Sequence, residues 1–172
     1  MAPHKLYCSI WVDPSLINAN DIDVRKWIEI NGVPKQVKDI VDYCVRKENG
    51  KVFDDWGKDI ITTMVTYHIM KKTISVVYDG DEVVGVHMWY NCNYDDGWEF
   101  IRGWEEDRKD GDSIFLAFLF AENRKVLKEL TLDLLAREPD VLIKKLIGIR
   151  HRHGVTTKVD LSIKYFNKLH KA

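Results

Sequence analysis

The chain has 172 residues and carries 26 basic against 27 acidic side chains, for a formal net charge of −1. This length suits one domain with a sizeable core, and the balanced charge gives no general attraction to nucleic acid or to an anionic membrane surface. Its three cysteines include no C-x-x-C pair and predict free thiols in a reducing compartment rather than a disulfide framework.

The amino-terminal residues Met1–Lys5 lack the apolar segment of a signal peptide. No apolar run elsewhere approaches the roughly 20 residues that a membrane-spanning helix needs. The sequence therefore predicts a cytoplasmic protein, built as a single domain over residues 1–172 and without a membrane span.

The first third of the chain predicts one strand followed by two or three helices. A β-like run covers residues 5–12. Helical spacing of apolar residues follows over 24–30, 37–44 and 60–69. Gly32 is placed to end the first helix, and Pro34 to begin the second. The inward positions predicted for the second helix are Val37, Ile40, Val41, Tyr43 and Cys44.

The middle of the chain changes to strand periodicity. Residues 73–78 and 83–90 are rich in β-branched and aromatic side chains, and they are separated by Asp79-Gly80-Asp81-Glu82. Asp-Gly between two such runs predicts a β-hairpin with a type I′ turn, in which both central residues have positive φ.

The stretch from Ser113 to Pro139 organises the rest of the chain. The unbroken apolar run 114–121 predicts a strand buried on both faces, and it stops at Glu122-Asn123. Apolar residues then recur at helical spacing, with Asn123 as the N-cap and Pro139 as the stop signal. A strand that leads directly into a helix presents backbone N–H groups at its carboxyl end, where α/β folds bind anionic ligands.

The carboxyl-terminal stretch leaves an alternative open. Residues 141–153 fit a buried strand, and they also fit a helix that begins near Pro139 and ends at Gly154. We favour the strand, because a strand followed by a crossover helix needs a parallel partner strand. Residues 158–166 alternate apolar and polar side chains and predict a half-exposed strand.

This order of strand, helices, hairpin, strand, helix and two strands resembles that of GNAT-type acyltransferases. Within it, three short motifs resemble the lysine acyltransferases that activate RTX haemolysins. They are Val83–Asn91 with Trp89 two residues before the asparagine, Gly111-Asp112 before the buried strand, and Pro139-Asp140 ahead of Ile149-Arg150. The resemblance implies an α+β fold with a GNAT-like mixed, mostly antiparallel sheet and flanking helices. It also implies transfer of an acyl group from a thioester donor to an amine.

The chain departs from these families at positions that carry their chemistry. The Ser-Pro-x-His-Arg motif with the catalytic histidine of the toxin-activating branch is absent from the sequence, and Phe118 occupies the position of its catalytic aspartate. GNAT enzymes cradle the CoA pyrophosphate with a glycine-containing turn, whereas the turn here is Glu122-Asn123-Arg124-Lys125. Without glycine the backbone approaches a phosphate less closely.

Five residues are candidates for a donor site. Asn123, Arg124 and Lys125 at the predicted helix start would hold a phosphate or a carrier's phosphopantetheine arm; the alternative is a solvated first turn. Glu122 or His87 would act as general base on the attacking amine. If neither is catalytic, Glu122 is an exposed turn carboxylate and His87 is a hydrogen-bonded histidine on a half-buried sheet face.

Other patterns carry weaker chemistry. Aromatic side chains over 89–104 would wall an acyl-chain groove or simply pack across strands, and His68 is predicted to be a core or boundary residue. The acids of 95–112 lack EF-hand spacing and the H-x-H of 151–153 lacks further ligands, so no metal site is predicted. The basic residues of 150–153 would contact an acidic carrier protein or a nucleic-acid backbone, or form a solvated strand end.

Two functional hypotheses lead. The first is an N-acyltransferase that uses an acyl-CoA or acyl carrier protein thioester, without a metal, and acts on an amine of a protein acceptor or other substrate. The second is a non-catalytic protein-binding protein, or a phage or virion structural protein, that reuses the GNAT-like fold. A small nucleic-acid-binding protein is a third hypothesis, and the near-zero net charge disfavours it.

Overall fold

The structure, a computed structural model, describes residues 5–6, 24–48, 57–93, 110–152 and 155–160. Within these ranges the chain forms six strands and four α-helices. The strands are β1 (Lys5–Leu6), β2 (Ile74–Asp79), β3 (Glu82–Cys92), β4 (Ser113–Ala121), β5 (Lys145–Arg152) and β6 (Val155–Asp160). The helices are α1 (Val24–Asn31), α2 (Lys35–Lys47), α3 (Lys58–Lys71) and α4 (Arg124–Arg137).

The six strands form one mixed sheet in their order along the chain, from β1 to β6. Neighbouring strands are antiparallel, except that β4 and β5 are parallel, with α4 as the crossover between them. The predicted α+β class, with a mixed, mostly antiparallel sheet and flanking helices, is confirmed. The predicted order of elements is also present, with three α-helices among the described residues between β1 and β2.

Helices cover both faces of the sheet. On one face, Val37, Ile40 and Val41 of α2 and Ile61 of α3 pack with Met88 of β3 in a buried cluster. The α2 positions recur every three to four residues, so one stripe of this helix is apolar, and the burial predicted for α2 is confirmed. On this face of the sheet, the core therefore lies between the strands and the helices α1 to α3.

The opposite face of the sheet is covered by α4. Its Val126 and Leu130 pack on Val77 of β2, and its Leu134 packs on Trp89 of β3. Side chains of a strand alternate between faces, so β3 contributes to both layers. The core is thus divided by the sheet, with α4 as the sole α-helix among the described residues on its face.

The hairpin between β2 and β3 is confirmed, but its predicted turn type is wrong. Gly80 has a φ of 61°, whereas Asp81 is not among the described residues with positive φ. A glycine with positive φ at the first central position alone is the pattern of a type II′ turn rather than type I′. Gly80 supplies the unusual conformation, so Asp81 keeps an ordinary one.

Strand β4 and helix α4 meet at the predicted turn. Asn123 is the N-cap, and its Oδ1 accepts the backbone N–H of Val126 at 3.0 Å. The helix ends at Arg137, two residues before Pro139. The prediction that β4 is buried on both faces holds only for its first half, since Leu119, Phe120 and Ala121 are half-exposed.

We expect Asn123→Ala to lower the free energy of unfolding by about 1 kcal/mol, because the Val126 N–H loses its side-chain acceptor. Urea denaturation at pH 7 measures the change. Asn123→Asp is the matched control, since aspartate caps a helix equally well and should leave stability within a few tenths of a kcal/mol. Equal stability of the alanine and native chains would contradict the cap's role.

The alternatives for residues 141–153 are resolved in favour of the strand, with a later start. A short 3-10 helix covers Pro139–Leu142, and β5 begins at Lys145. Backbone bonds from Val141 N–H to Glu138 O and from Ile143 N–H to Asp140 O, both 3.0 Å, hold the intervening turns. Strand β6 covers Val155–Asp160, earlier than predicted, and the remainder of 158–166 lies outside the described residues.

Candidate functional site at the end of strand β4

Strands β4 and β5 pair over only part of their length. The pairing runs from Ser113–Lys145 to Leu116–Gly148, although β4 continues to Ala121 and β5 to Arg152. A β-bulge marks the same place on the other side of β4, where Met88 pairs with Phe118 but Trp89 pairs with Leu116. A bulge increases the local twist of a strand. The carboxyl ends of the two parallel strands are therefore not joined, at the edge where open sheets bind ligands.

The turn at this open end carries four of the five predicted site residues. Glu122, Asn123, Arg124 and Lys125 are all solvent-exposed. Their position at the start of α4 places the turn at the positive end of the helix dipole, where the first backbone N–H groups have no intrahelical acceptor. Neither Arg124 nor Lys125 forms an ion pair within the described part of the chain. Both cations are thus available to an anionic ligand.

Helix α2 adds a cation that the sequence analysis missed. Lys47 Nζ lies 2.7 Å from Glu122 Oε2, with both side chains about one-third exposed. The preceding residue, Arg46, lies over the ring of Tyr43 at 5.6 Å. Basic residues in the last turn of a helix have an ordinary explanation in the helix dipole, so the pattern alone gave no reason to connect them with residue 122.

The carbonyl of Val84 fixes α2 and the turn to β3. It accepts the Tyr43 hydroxyl at 3.0 Å and the Glu122 backbone N–H at 3.0 Å. Burial, followed by the nearby Glu122 carboxylate, raises the pKa of Tyr43, so the phenol remains protonated. Burial also raises the pKa of Cys44 to about 12, which excludes this thiol as a nucleophile near neutral pH.

His87, the other predicted base, lies elsewhere. It pairs with Leu119 of β4 and Ser75 of β2, three positions along β3 from Val84, and it is fully buried. Neither ring nitrogen has a hydrogen-bond partner, and burial lowers the pKa of His87 to about 3. The structure therefore groups Glu122 with Asn123, Arg124 and Lys125, and it separates His87 from them. His68, predicted as a core or boundary residue, is also fully buried.

The motif residues behind the family resemblance make structural contacts. Trp89 Nε1 and Asn91 Nδ2 both donate to Glu138 Oε1, at 3.1 and 3.2 Å. They tie β3 to the end of α4. Gly111 lies against the Cys92 backbone so closely that a Cβ would overlap the carbonyl group. Packing and hydrogen bonding therefore account for these residues without a role in chemistry.

Several other predicted features are buried or lie outside the described residues. Trp89 and Tyr90 are buried, so for these two residues the structure favours packing within the core over lining a groove. The remaining groove aromatics, Tyr94, Trp98, Phe100 and Trp104, lie outside the described residues, as do most of the acids of 95–112 and His153. Arg150, His151, Arg152 and Lys158 lie on strands β5 and β6. Lys144 Nζ approaches Asn91 Oδ1 at 3.4 Å.

Neither a candidate metal site nor a membrane-spanning helix occurs among the described residues. No three His, Cys, Asp or Glu side chains there come together in a way that would hold a metal ion. No helix in the same ranges has the length and apolar character to cross a membrane. Comparison with protein-family models gives no match, and comparison with curated proteins gives none either.

Proposed function

We propose that the protein is a GNAT-like acyltransferase that moves an acyl group from acyl-CoA or an acyl carrier protein to an amine. The observation that carries the proposal is the meeting of cations from two helices at one turn. Lys47 from α2 and Arg124 and Lys125 from α4 surround the strand-to-helix turn where the pairing of β4 with β5 has ended. A CoA pyrophosphate or a phosphopantetheine phosphate is the anion that such a turn fits.

The proposed roles follow from this placement. Arg124 and Lys125 pair with the donor phosphate, and the Asn123 cap holds the first turn of α4 in place. The amine nitrogen of the acceptor attacks the thioester carbonyl, the C–S bond breaks, and the donor sulfur leaves as a thiolate. Glu122 accepts the proton that the amine loses, after its ion pair with Lys47 has opened. His87 would contact the substrate only if α4 moved, so the proposal places the base at Glu122.

Donor binding tests the proposal directly. We expect acetyl-CoA, long-chain acyl-CoA or an acylated carrier protein to bind the native chain in calorimetry. The pair of substitutions Arg124→Ala and Lys125→Ala should weaken that binding about tenfold or more, since hydrogen bonds to charged groups contribute about 1.5–3 kcal/mol each. Lys35→Ala is the matched control, because Lys35 is an exposed cation at the opposite end of α2, paired with Asp39. Equal effects of the control and the pair would argue against a specific anion site.

The second candidate is a non-catalytic protein that reuses the fold, either as a protein-binding or as a phage or virion structural protein. Two observations favour it: the turn 122–125 has no glycine, and the carboxylate proposed as base is held by Lys47. Absence of thermal stabilisation by all three donors would support this candidate. Donor binding without acyl transfer to any amine would support the anion-binding site and argue against acyltransferase activity.

A further inference from the structure

His87 lies beneath α4 on the sheet face that this helix covers. Its neighbours across the strands are Ser75 and Leu119, and its ring centroid is 5.2 Å from that of Trp89. The side chain is completely buried, and neither ring nitrogen has a partner within hydrogen-bond geometry; the Leu130 backbone of α4 lies near enough to oppose the lowering of its pKa only in part. A buried polar group without partners is costly, and the cost rises sharply if the group becomes charged.

The contact between α4 and β3 shields the ring from bulk solvent. Gly85, two residues before His87, lies so close to α4 that a Cβ there would overlap Val126 and press on Leu130. Val126 and Leu130 are themselves fully buried. A protonated imidazole could regain solvent only if this helix moved away from the sheet.

The charged groups around His87 do not offer it a prepared partner. On α4, Asp133 is occupied by the Ser75 hydroxyl and by Arg137 Nε, which lies 3.0 Å from Asp133 Oδ2. Glu129, also on α4, has a buried carboxylate oxygen without a hydrogen-bond partner. Strands β2 and β4 place only Ser75 and Leu119 beside the ring. His68 is on α3, across the sheet, and is itself buried.

We propose that protonation of His87 releases α4 from the sheet, so that mild acid opens this helix before it unfolds the rest of the domain. The helix carries the Asn123 cap and the turn 122–125 at its start. Release therefore also dismantles that turn, whatever ligand it binds. The inference does not depend on the proposed acyltransferase activity.

Hydrogen exchange of the full chain, followed by mass spectrometry, tests the release. Between pH 7.5 and 4.5, the protection factors of α4 amides, corrected for intrinsic exchange, should fall about 100-fold. The reason is that a released imidazole titrates near its ordinary pKa of about 6.5, two units above the lower pH. Amides of the α2 interior, on the other face, should remain better protected than those of α4 throughout this range, because they exchange only when the whole domain opens. In the variant His87→Gln, which is uncharged at both pH values, α4 should keep its protection at pH 4.5.

His68→Gln is the matched control, since it removes the other buried histidine and should leave the acid-induced loss in α4 intact. Should His87→Gln fail to fold, a pH series on the native chain replaces it: α4 protection must fall by up to about tenfold per pH unit below pH 6.5, as uptake of one proton by the released imidazole requires. Equal protection of α2 and α4 amides at pH 4.5 would overturn the inference, as would continued release in His87→Gln.

Discussion

Lowering the pH from 7 to 5 should reduce the free energy of unfolding by about 4 kcal/mol through His68 and His87, the histidines that are buried in the described part of the chain. Burial lowers the pKa of His68 and of His87 to about 3, from an ordinary value of 6.5. The unfolded chain therefore takes up a proton at each ring below pH 6.5, whereas the folded chain does so only near pH 3. The stability that depends on the neutral rings is complete above pH 6.5 and is lost progressively as the pH falls towards 3.

Urea denaturation at pH 7 and pH 5 measures this effect. Each of His68→Gln and His87→Gln should reduce the difference between the two pH values by about 2 kcal/mol, and the double variant should remove most of it. The comparison is made within each variant across pH, because His68→Gln also loses the contact between His68 Nδ1 and Thr73 Oγ1 at 2.8 Å. A double variant that remains as acid-sensitive as the native chain would show that carboxylates, not these rings, control the transition.

Gly111→Ala should destabilise the fold by about 3 kcal/mol or more. A Cβ at this position would overlap the carbonyl carbon and oxygen of Cys92 and crowd its nitrogen. These are backbone atoms at the end of β3, where Cys92 pairs with Ser113, so the clash cannot be relieved by rotating a side chain. Overpacking that moves a strand lies at the upper end of the range for core substitutions.

Thermal or urea denaturation of three variants isolates the clash. Asp110→Ala is the matched control, because the neighbouring position is exposed and its substitution should stay within about 0.5 kcal/mol. Gly85→Ala should fall between the two, at about 1–3 kcal/mol, since its Cβ would meet side chains of Val126 and Leu130 rather than backbone. If Gly111→Ala were as stable as the Asp110 control, the close approach to Cys92 would not exist in solution.

The sequence predicted those elements whose signals are local. The apolar stripe of α2, the Asn123 cap and the Asp-Gly hairpin depend on residues within a few positions of one another, and each is present. The same local signals did not predict two finer details correctly. The hairpin turn takes positive φ at Gly80 alone, and the Pro139 turn becomes a 3-10 helix that delays β5 to Lys145.

The candidate site was only half predictable for the same reason. Glu122, Asn123, Arg124 and Lys125 are adjacent in sequence, so a single turn brings them together. The ion pair with Lys47 joins residues 75 positions apart, and no periodicity encodes it. His87 is buried because α4 covers its face of the sheet. The bulge between Met88 and Trp89 depends on how β3 pairs with β4. Tertiary packing decides both.

The sheet consists of two antiparallel parts, which are joined by the short parallel pairing between β4 and β5. Strands β1 to β4 are joined by antiparallel pairs, and β5 and β6 form a second antiparallel unit. Four rungs, from Ser113–Lys145 to Leu116–Gly148, join the two parts, and they unite residues on opposite sides of α4. Contacts of this kind form only after the intervening helix has closed the loop. We therefore expect the pairing of β4 with β5 to form late in folding and to be the first part of the sheet to separate under mechanical tension.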